Sequence, residues 1–150
     1  MINNSTQSVL FCCNYNSVRS PMAEGIFKSL IGKKIFVQSA GVFDTLEIDG
    51  YTVKVCDEIN VKLNKHRVRS LKEMEKEGGY IGSFDLIISL TKEASEEALK
   101  YSTYSSVMIE QWAVDEPIKD ESDFNQTLCS YRITRDIIFD KIKNRFQDYF

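Results

Sequence analysis

The chain has 150 residues, 43% of them hydrophobic and 27% charged, with 19 basic against 22 acidic side chains and a net charge of −3. One domain of this length buries a real core, and the lack of a basic excess argues against general nucleic-acid or membrane-surface binding. A single histidine, His66, excludes any zinc site that needs two, and four cysteines make thiol chemistry the natural suspect.

Met1–Thr6 carries neither the basic start nor the long apolar run of a secretory signal, and no apolar run nears the ~20 residues of a membrane span. Cys12, Cys13, Cys56 and Cys129 include an adjacent pair but no C-x-x-C, so we expect a reduced, cytoplasmic protein without a disulfide or zinc framework. Ser8–Cys13 is a short apolar run and predicts a strand. Ser20-Pro21 then predicts a helix start, with Ser20 as cap and Pro21 in the first helical position. Met22, Ile26 and Leu30, beside Ala23, Phe27 and Ile31, supply its apolar stripe, and Gly32 stops it. Lys34–Ala40 predicts a second strand, and Tyr51, Val55, Ile59 and Leu63 a further helical stripe. The alternating charges of Lys72–Glu77 and the glycines 78, 79 and 82 predict an exposed helix end and loop. Phe84–Leu90 predicts the third strand, Thr91–Lys100 a helix and Ser106–Glu110 the fourth strand. From Ser122 a long amphipathic helix carries Phe124, Leu128, Tyr131, Ile138, Ile142 and Phe146. Strands alternating with helices, and no linker or repeat, predict a single α/β domain over 1–150, a doubly wound parallel sheet with helices on both faces. Ligands of such sheets sit beyond the C-terminal strand ends, so the loop leaving the first strand is the place for chemistry.

That loop reads Cys13-Asn14-Tyr15-Asn16-Ser17-Val18-Arg19-Ser20-Pro21. Backbone N–H groups of a tight strand-to-helix loop can converge on an oxyanion, and the helix N-terminus adds partial positive charge. Arg19 can clasp two phosphate oxygens with its planar fork. The same field favours the thiolate of Cys13 as a nucleophile, and the Ser20 hydroxyl can donate to that sulfur.

C-x5-R-S-P, with VLF before it and Met22-Ala23-Glu24-Gly25 after, resembles the low-molecular-weight protein tyrosine phosphatase family. Four satellites extend the likeness over most of the chain: Ser39-Ala40-Gly41, His66-Arg67-Val68-Arg69, Phe84-Asp85-Leu86-Ile87, and an acid-Pro element before the last helix. The resemblance implies a four-stranded sheet in the order 2-1-3-4. It also implies a phosphate-binding loop of Asn14, Tyr15, Asn16, Ser17, Val18 and Ser20, with a network of Asn16, Ser20, Ser39 and His66 shaping it. His66, which by itself would be a solvated surface residue between Lys65 and Arg67, becomes loop support. The implied reaction hydrolyses phosphotyrosine or a small aryl phosphate through a phosphocysteine, without metal or organic cofactor. The implied partners are a phosphorylated protein or small phosphate monoester, with inorganic phosphate or sulfate able to occupy the loop, and neither nucleic acid nor membrane.

The match departs in places. The family's general acid is an Asp directly before Pro, whereas here Asp115-Glu116-Pro117 puts Glu116 in line and Asp115 one place earlier. We place Asp115 first, on the assumption that the loop slips one position to keep the shorter acid; Asp120 and Glu121 stand nearer the helix start, where acids complement its dipole. Tyr15 stands where the family usually has Gly, so it either strains a left-handed position or walls the mouth. Val18 replaces a second loop cysteine, which removes the route to a protective disulfide. Cys12 is expected to point to the opposite, buried face of the strand, and Cys56 and Cys129 to fill core positions on helices. Ser17, where arginine-phosphatase relatives carry Thr, leaves phosphoarginine open. Tyr15, Phe43, Tyr51 and Trp112 are candidate aromatic walls, Trp112 foremost. Arsenate reductase is the alternative enzyme, but its chemistry needs two further cysteines close by, and Thr91–Lys100 has none. An impaired phospho-ligand-binding module is the non-enzyme alternative.

Overall fold

The computed structural model describes residues 6–45 and 47–150, so the segment Met1–Ser5, on which part of the signal-peptide expectation rests, lies outside it. Among the described residues four strands and five α-helices follow in the order β1 (Ser8–Cys13), α1 (Arg19–Ile31), β2 (Phe36–Gly41), α2 (Gly50–Asp57), α3 (Leu71–Lys76), β3 (Leu86–Ser89), α4 (Lys92–Ser102), β4 (Met108–Gln111) and α5 (Phe124–Arg145). The strands form one sheet in the order β2-β1-β3-β4, and every pairing is parallel. Cys13 lies opposite Gly41 of β2, and Cys12 opposite both Ala40 of β2 and Ser89 of β3. The ends of the three strands therefore stand level where the first loop leaves the sheet.

Period-two alternation along β1 divides the core in two. Phe11 and Cys13 face a cluster built with Met22 and Phe27 of α1, Val55 of α2, and Ile138 and Ile142 of α5. Leu10 and Cys12 face the other cluster, with Leu71 of α3 and Ala94 and Ala98 of α4. Both faces are thus covered, which a parallel sheet of near-continuous apolar strands requires. Adjacent cysteines accordingly belong to different halves of the core. Burial pushes the thiol of Cys12 far above its ordinary range, and burial likewise pushes Cys56 up to about 12.

Several local expectations change. Val18, not Ser20, is the residue before α1, and Pro21 sits in the third helical position. Proline is tolerated there because the first intrahelical bond runs from Met22 N–H to the Val18 carbonyl. Gly32 ends α1 with φ of 70°. α2 stops at Asp57, so Ile59 and Leu63 pack from the following turn, where Asn60 takes φ of 63°. Arg135 of α5, itself buried, donates to the Val55 carbonyl at 2.8 Å and pairs with Glu58, closing the C-terminal end of α2. The segment of alternating charge forms a short helix, α3, held by a reciprocal capping box of Ser70 and Glu73. Cys129 is exposed on α5 and fills no core position. Among the described residues no helix is long and apolar enough to cross a membrane.

Candidate active site

The loop after β1 is held from three sides, two of them by backbone bonds. Val42 and Phe43, just past β2, donate to the Cys13 and Asn14 carbonyls at 3.0 and 2.7 Å, and Asp49 donates to the Ser17 carbonyl at 3.1 Å. The third hold is a side chain: Thr91 caps α4 by accepting from Ala94 N–H and donates its own proton to Asn14 Oδ1 at 2.7 Å. Gly41 permits this closeness, since a Cβ there would stand 2.6 Å from the Tyr15 carbonyl carbon and 2.7 Å from the Asn16 nitrogen.

Within the loop the left-handed residue is Asn16, at φ of 55°, and not Tyr15. Its fully buried side chain is completely satisfied. Nδ2 donates to Ser20 Oγ at 2.8 Å and Ser39 Oγ at 2.9 Å, while Oδ1 lies 3.0 Å from His66 Nε2 and accepts from Arg69 N–H at 3.1 Å. Because both amide hydrogens are committed, Oδ1 must accept, so His66 carries its proton on Nε2. Burial lowers the basicity of His66, opposed by the carboxylate of Glu24 and reinforced by Arg69 and Lys28. The chain of bonds continues outward: Ser39 donates to Glu24 at 2.7 Å, and Glu24 pairs with Lys28 at 2.8 Å. Glu24, Thr91 and Gly41 are the structural contributors that motif reasoning left without a role. The only sequence trace of the first and last is their position inside the matched segments Met22–Gly25 and Ser39–Gly41.

Ser20 joins this network to the sulfur. It accepts from Asn16, leaving its own proton for Cys13 Sγ at 2.9 Å, and its backbone N–H, in the first turn of α1, points at the same sulfur at 3.4 Å. A thiolate at Cys13 would therefore meet a hydroxyl, an amide and the positive end of a helix. Arg19 opens α1, and its Nη1 donates to the Val114 carbonyl at 2.9 Å. The Nε–Nη2 edge has no protein partner among the described residues and matches two oxygens of a tetrahedral oxyanion.

The sheet-end loop, the level strand ends and the sulfur beneath a helix N-terminus agree with a family comparison. Residues 8–147 match the model of the low molecular weight phosphotyrosine protein phosphatases. The chain belongs to that family. Among its curated relatives, Arsenate reductase 1 of Staphylococcus epidermidis is 29% identical over 121 residues, 80% of this chain and 86% of that one. Among solved structures, a YwlE mutant from Bacillus subtilis is 26% identical with a TM-score of 0.71, covering 95% of this chain and 98% of that one. An arsenate reductase solved in a phosphate-binding state is 22% identical with a TM-score of 0.73, covering 96% of this chain and 99% of that one.

The sequence-based candidates for the general acid, Asp115 and Glu116, lie on the loop after β4. Asp115 and Glu116 are both exposed, and both line a cavity of about 350 Å³ together with Asn14, Arg19 and Val114. Trp112 does not join them: it is buried against Phe11, with ring centroids 6.0 Å apart, and its indole N–H donates to Glu110. Tyr51 is half-buried and packs between Phe124 and Tyr131. Tyr15 and Phe43 form an exposed pair with ring centroids 5.5 Å apart beside the loop. Asp120 accepts from both the hydroxyl and the backbone of Ser122, which keeps its carboxyl below the ordinary range, and Asp123 caps α5. Among the described residues no three His, Cys, Asp or Glu side chains stand together as a metal-binding group.

Proposed function

We propose that the chain is a cysteine-dependent phosphatase acting on phosphotyrosine or small aryl phosphate monoesters. The observation that carries this is the 2.9 Å approach of Ser20 Oγ to Cys13 Sγ at the N-terminus of α1, beside the unpartnered edge of Arg19. The Cys13 thiolate attacks phosphorus in line, a P–S bond forms and the P–O bond to the leaving alcohol breaks. Arg19 and the loop amides hold the equatorial oxygens through this step. Asp115 gives its proton to the leaving oxygen, with Glu116 as the alternative donor in the same cavity. The resulting carboxylate then takes a proton from water as that water attacks phosphorus. The P–S bond breaks, inorganic phosphate leaves and the thiolate is restored, still held by Ser20. The exposed Tyr15–Phe43 pair is suited to an aryl leaving group, which supports phosphotyrosine over an aliphatic ester.

Hydrolysis of p-nitrophenyl phosphate by wild type, Cys13→Ser and Arg19→Ala tests this. Wild-type turnover abolished by Cys13→Ser is expected, whereas turnover surviving in that variant would remove the nucleophile. Comparing Asp115→Asn with Glu116→Gln across leaving groups identifies the acid, since the true donor loses most rate on poor leaving groups. A wild type that binds vanadate without turnover would favour the phospho-ligand-binding module.

Arsenate reduction is the second reading, supported by the names of the relatives. It would need two thiols to carry a disulfide away from Cys13. α4 holds none, Cys12 and Cys56 are buried and Cys129 is on α5, so phosphate-ester hydrolysis is the better supported. Arsenate-dependent oxidation of thioredoxin would reverse that order.

A further inference from the structure

A second cavity, of about 580 Å³, lies between α1 and the segment joining α2 to α3. Its walls meet at Gly25, where a Cβ would stand 2.6 Å from Val61 and 2.8 Å from Leu63, so the two elements are locked side by side. The lining contains Lys28, Lys62, Lys65, Arg67 and Arg69, with Glu24 as its single carboxylate. Glu24 is already committed to Ser39 and Lys28. Outside the lining, Asp57 pairs with Lys62, and Glu77 is shared by Arg67 and Arg69. Lys65 has no ion-pair partner among the described residues. Counting these neighbours, five cations face three carboxylates, in a chain whose net charge is −3. The cavity beside Arg19 has the opposite balance: Arg19 and Lys92 against Glu93, Asp115 and Glu116.

We propose that the cavity between α1 and residues 60–69 is a second anion site, which takes an oligophosphate and is coupled to the phosphate loop through His66. Its volume is that of a small-molecule pocket and not of a single bound ion. The cations come from two separate elements, so one phosphate cannot answer them all, whereas linked phosphates can. Arg67 and Arg69 add planar forks that fit phosphate oxygens in pairs.

His66 lines this cavity and donates from Nε2 to Asn16, which donates to Ser20, which meets Cys13 Sγ. Negative charge in the cavity favours the imidazolium, whose second proton enters at Nδ1, so the bond to Asn16 survives and strengthens. The charged groups around the ring are Glu24 and Lys28 on α1 and Arg67 and Arg69 on its own segment. Across a further cavity that His66 also lines stand Glu47 and Glu73. The effect on the sulfur rests on the phosphatase reading; occupancy of the cavity does not.

Since His66 is the one histidine, its Cε1 proton gives a single NMR signal with no second histidine to confuse it. Its titration would be followed with and without sodium tripolyphosphate at matched ionic strength, with saturating orthophosphate present to occupy the catalytic loop. A saturable rise in midpoint of about half a pH unit or more is expected. The double charge reversal Lys62→Glu/Lys65→Glu, on exposed side chains, should erase that rise while leaving basal p-nitrophenyl phosphate turnover unchanged. ATP should reproduce the tripolyphosphate effect and AMP should not, since the phosphate chain is what is recognised. No rise in wild type, a rise undiminished in the double variant, or an equal response to AMP would each overturn the site. Failure of the phosphatase reading would show in the turnover assay alone, with the rise of the NMR midpoint on adding tripolyphosphate still present.

Discussion

Arg19 Nη1 donates to the carbonyl of Val114 at 2.9 Å, across 95 positions of sequence. The residue proposed to clasp the phosphate thereby also holds the loop that carries Asp115 and Glu116. On the proposed function, binding and acid delivery share one side chain. Arg19→Lys keeps the charge but cannot bond Val114 and clasp two oxygens together. We expect kcat/KM on p-nitrophenyl phosphate to fall by about 10²–10³-fold. Amide hydrogen exchange over residues 113–116 should quicken in the same variant, which a loss of phosphate contact by itself would not cause.

Asn16 combines a left-handed backbone with four side-chain bonds. Asn16→Ala loses all four bonds and keeps the strain, so urea denaturation should show a loss of about 2–4 kcal/mol. Asn16→Gly relieves the backbone and should recover roughly 1 kcal/mol of that, without recovering activity.

Gly41 and Gly50 separate a steric role from a conformational one. An added Cβ at Gly41 meets the backbone of Asn14, Tyr15 and Asn16, whereas one at Gly50 meets nothing within 4 Å. Gly41→Ala should cost about 1–3 kcal/mol and most of the activity, because the displaced atoms belong to the loop proposed to bind phosphate. Gly50→Ala, in the first turn of α2, should leave turnover intact and change stability by less than about 1 kcal/mol. Parallel thermal melts and turnover assays would show the contrast.

His66 gives stability a defined dependence on pH. Its basicity is lowered in the folded chain, mainly by burial, so below about pH 6.5 the unfolded chain binds more protons than the folded one. Unfolding free energy therefore declines as pH falls from about 6.5 toward the folded-state titration point, and is flat in this respect well above about pH 6.5. His66→Gln, which can still donate to Asn16, should remove this part of the slope. Urea midpoints at pH 7.5 and 5.5 for the two proteins would measure the difference.

Much of the fold was legible because its signals are local. β1 occupies Ser8–Cys13, the run read from its composition, and α1 carries the stripe from Met22 to Ile31. The stripe from Tyr51 to Leu63 overran α2 because four-residue spacing continues to read as helix where Asn60 turns the chain left-handed. Trp112 and Cys129 went the other way. Neighbouring residues cannot tell which side of a short strand or exposed helix meets the core, so Trp112 proved buried and Cys129 exposed.

By itself the sequence determined the alternation of strands and helices and the loop from Cys13 to Arg19, and its family resemblance implied a network of Asn16, Ser20, Ser39 and His66. These are matters of residue type, spacing and order, which the chain carries in one dimension. Tertiary structure decided the rest. It decided that Asn16 takes the left-handed position, that Ser20 turns inward to the sulfur instead of capping α1, and that Arg19 reaches Val114. It also gathered Lys28 and residues 62–69 around one cavity beside His66. Each of these depends on parallel strands in register bringing distant segments to one edge of the sheet, and short-range patterns hold no information about that distance.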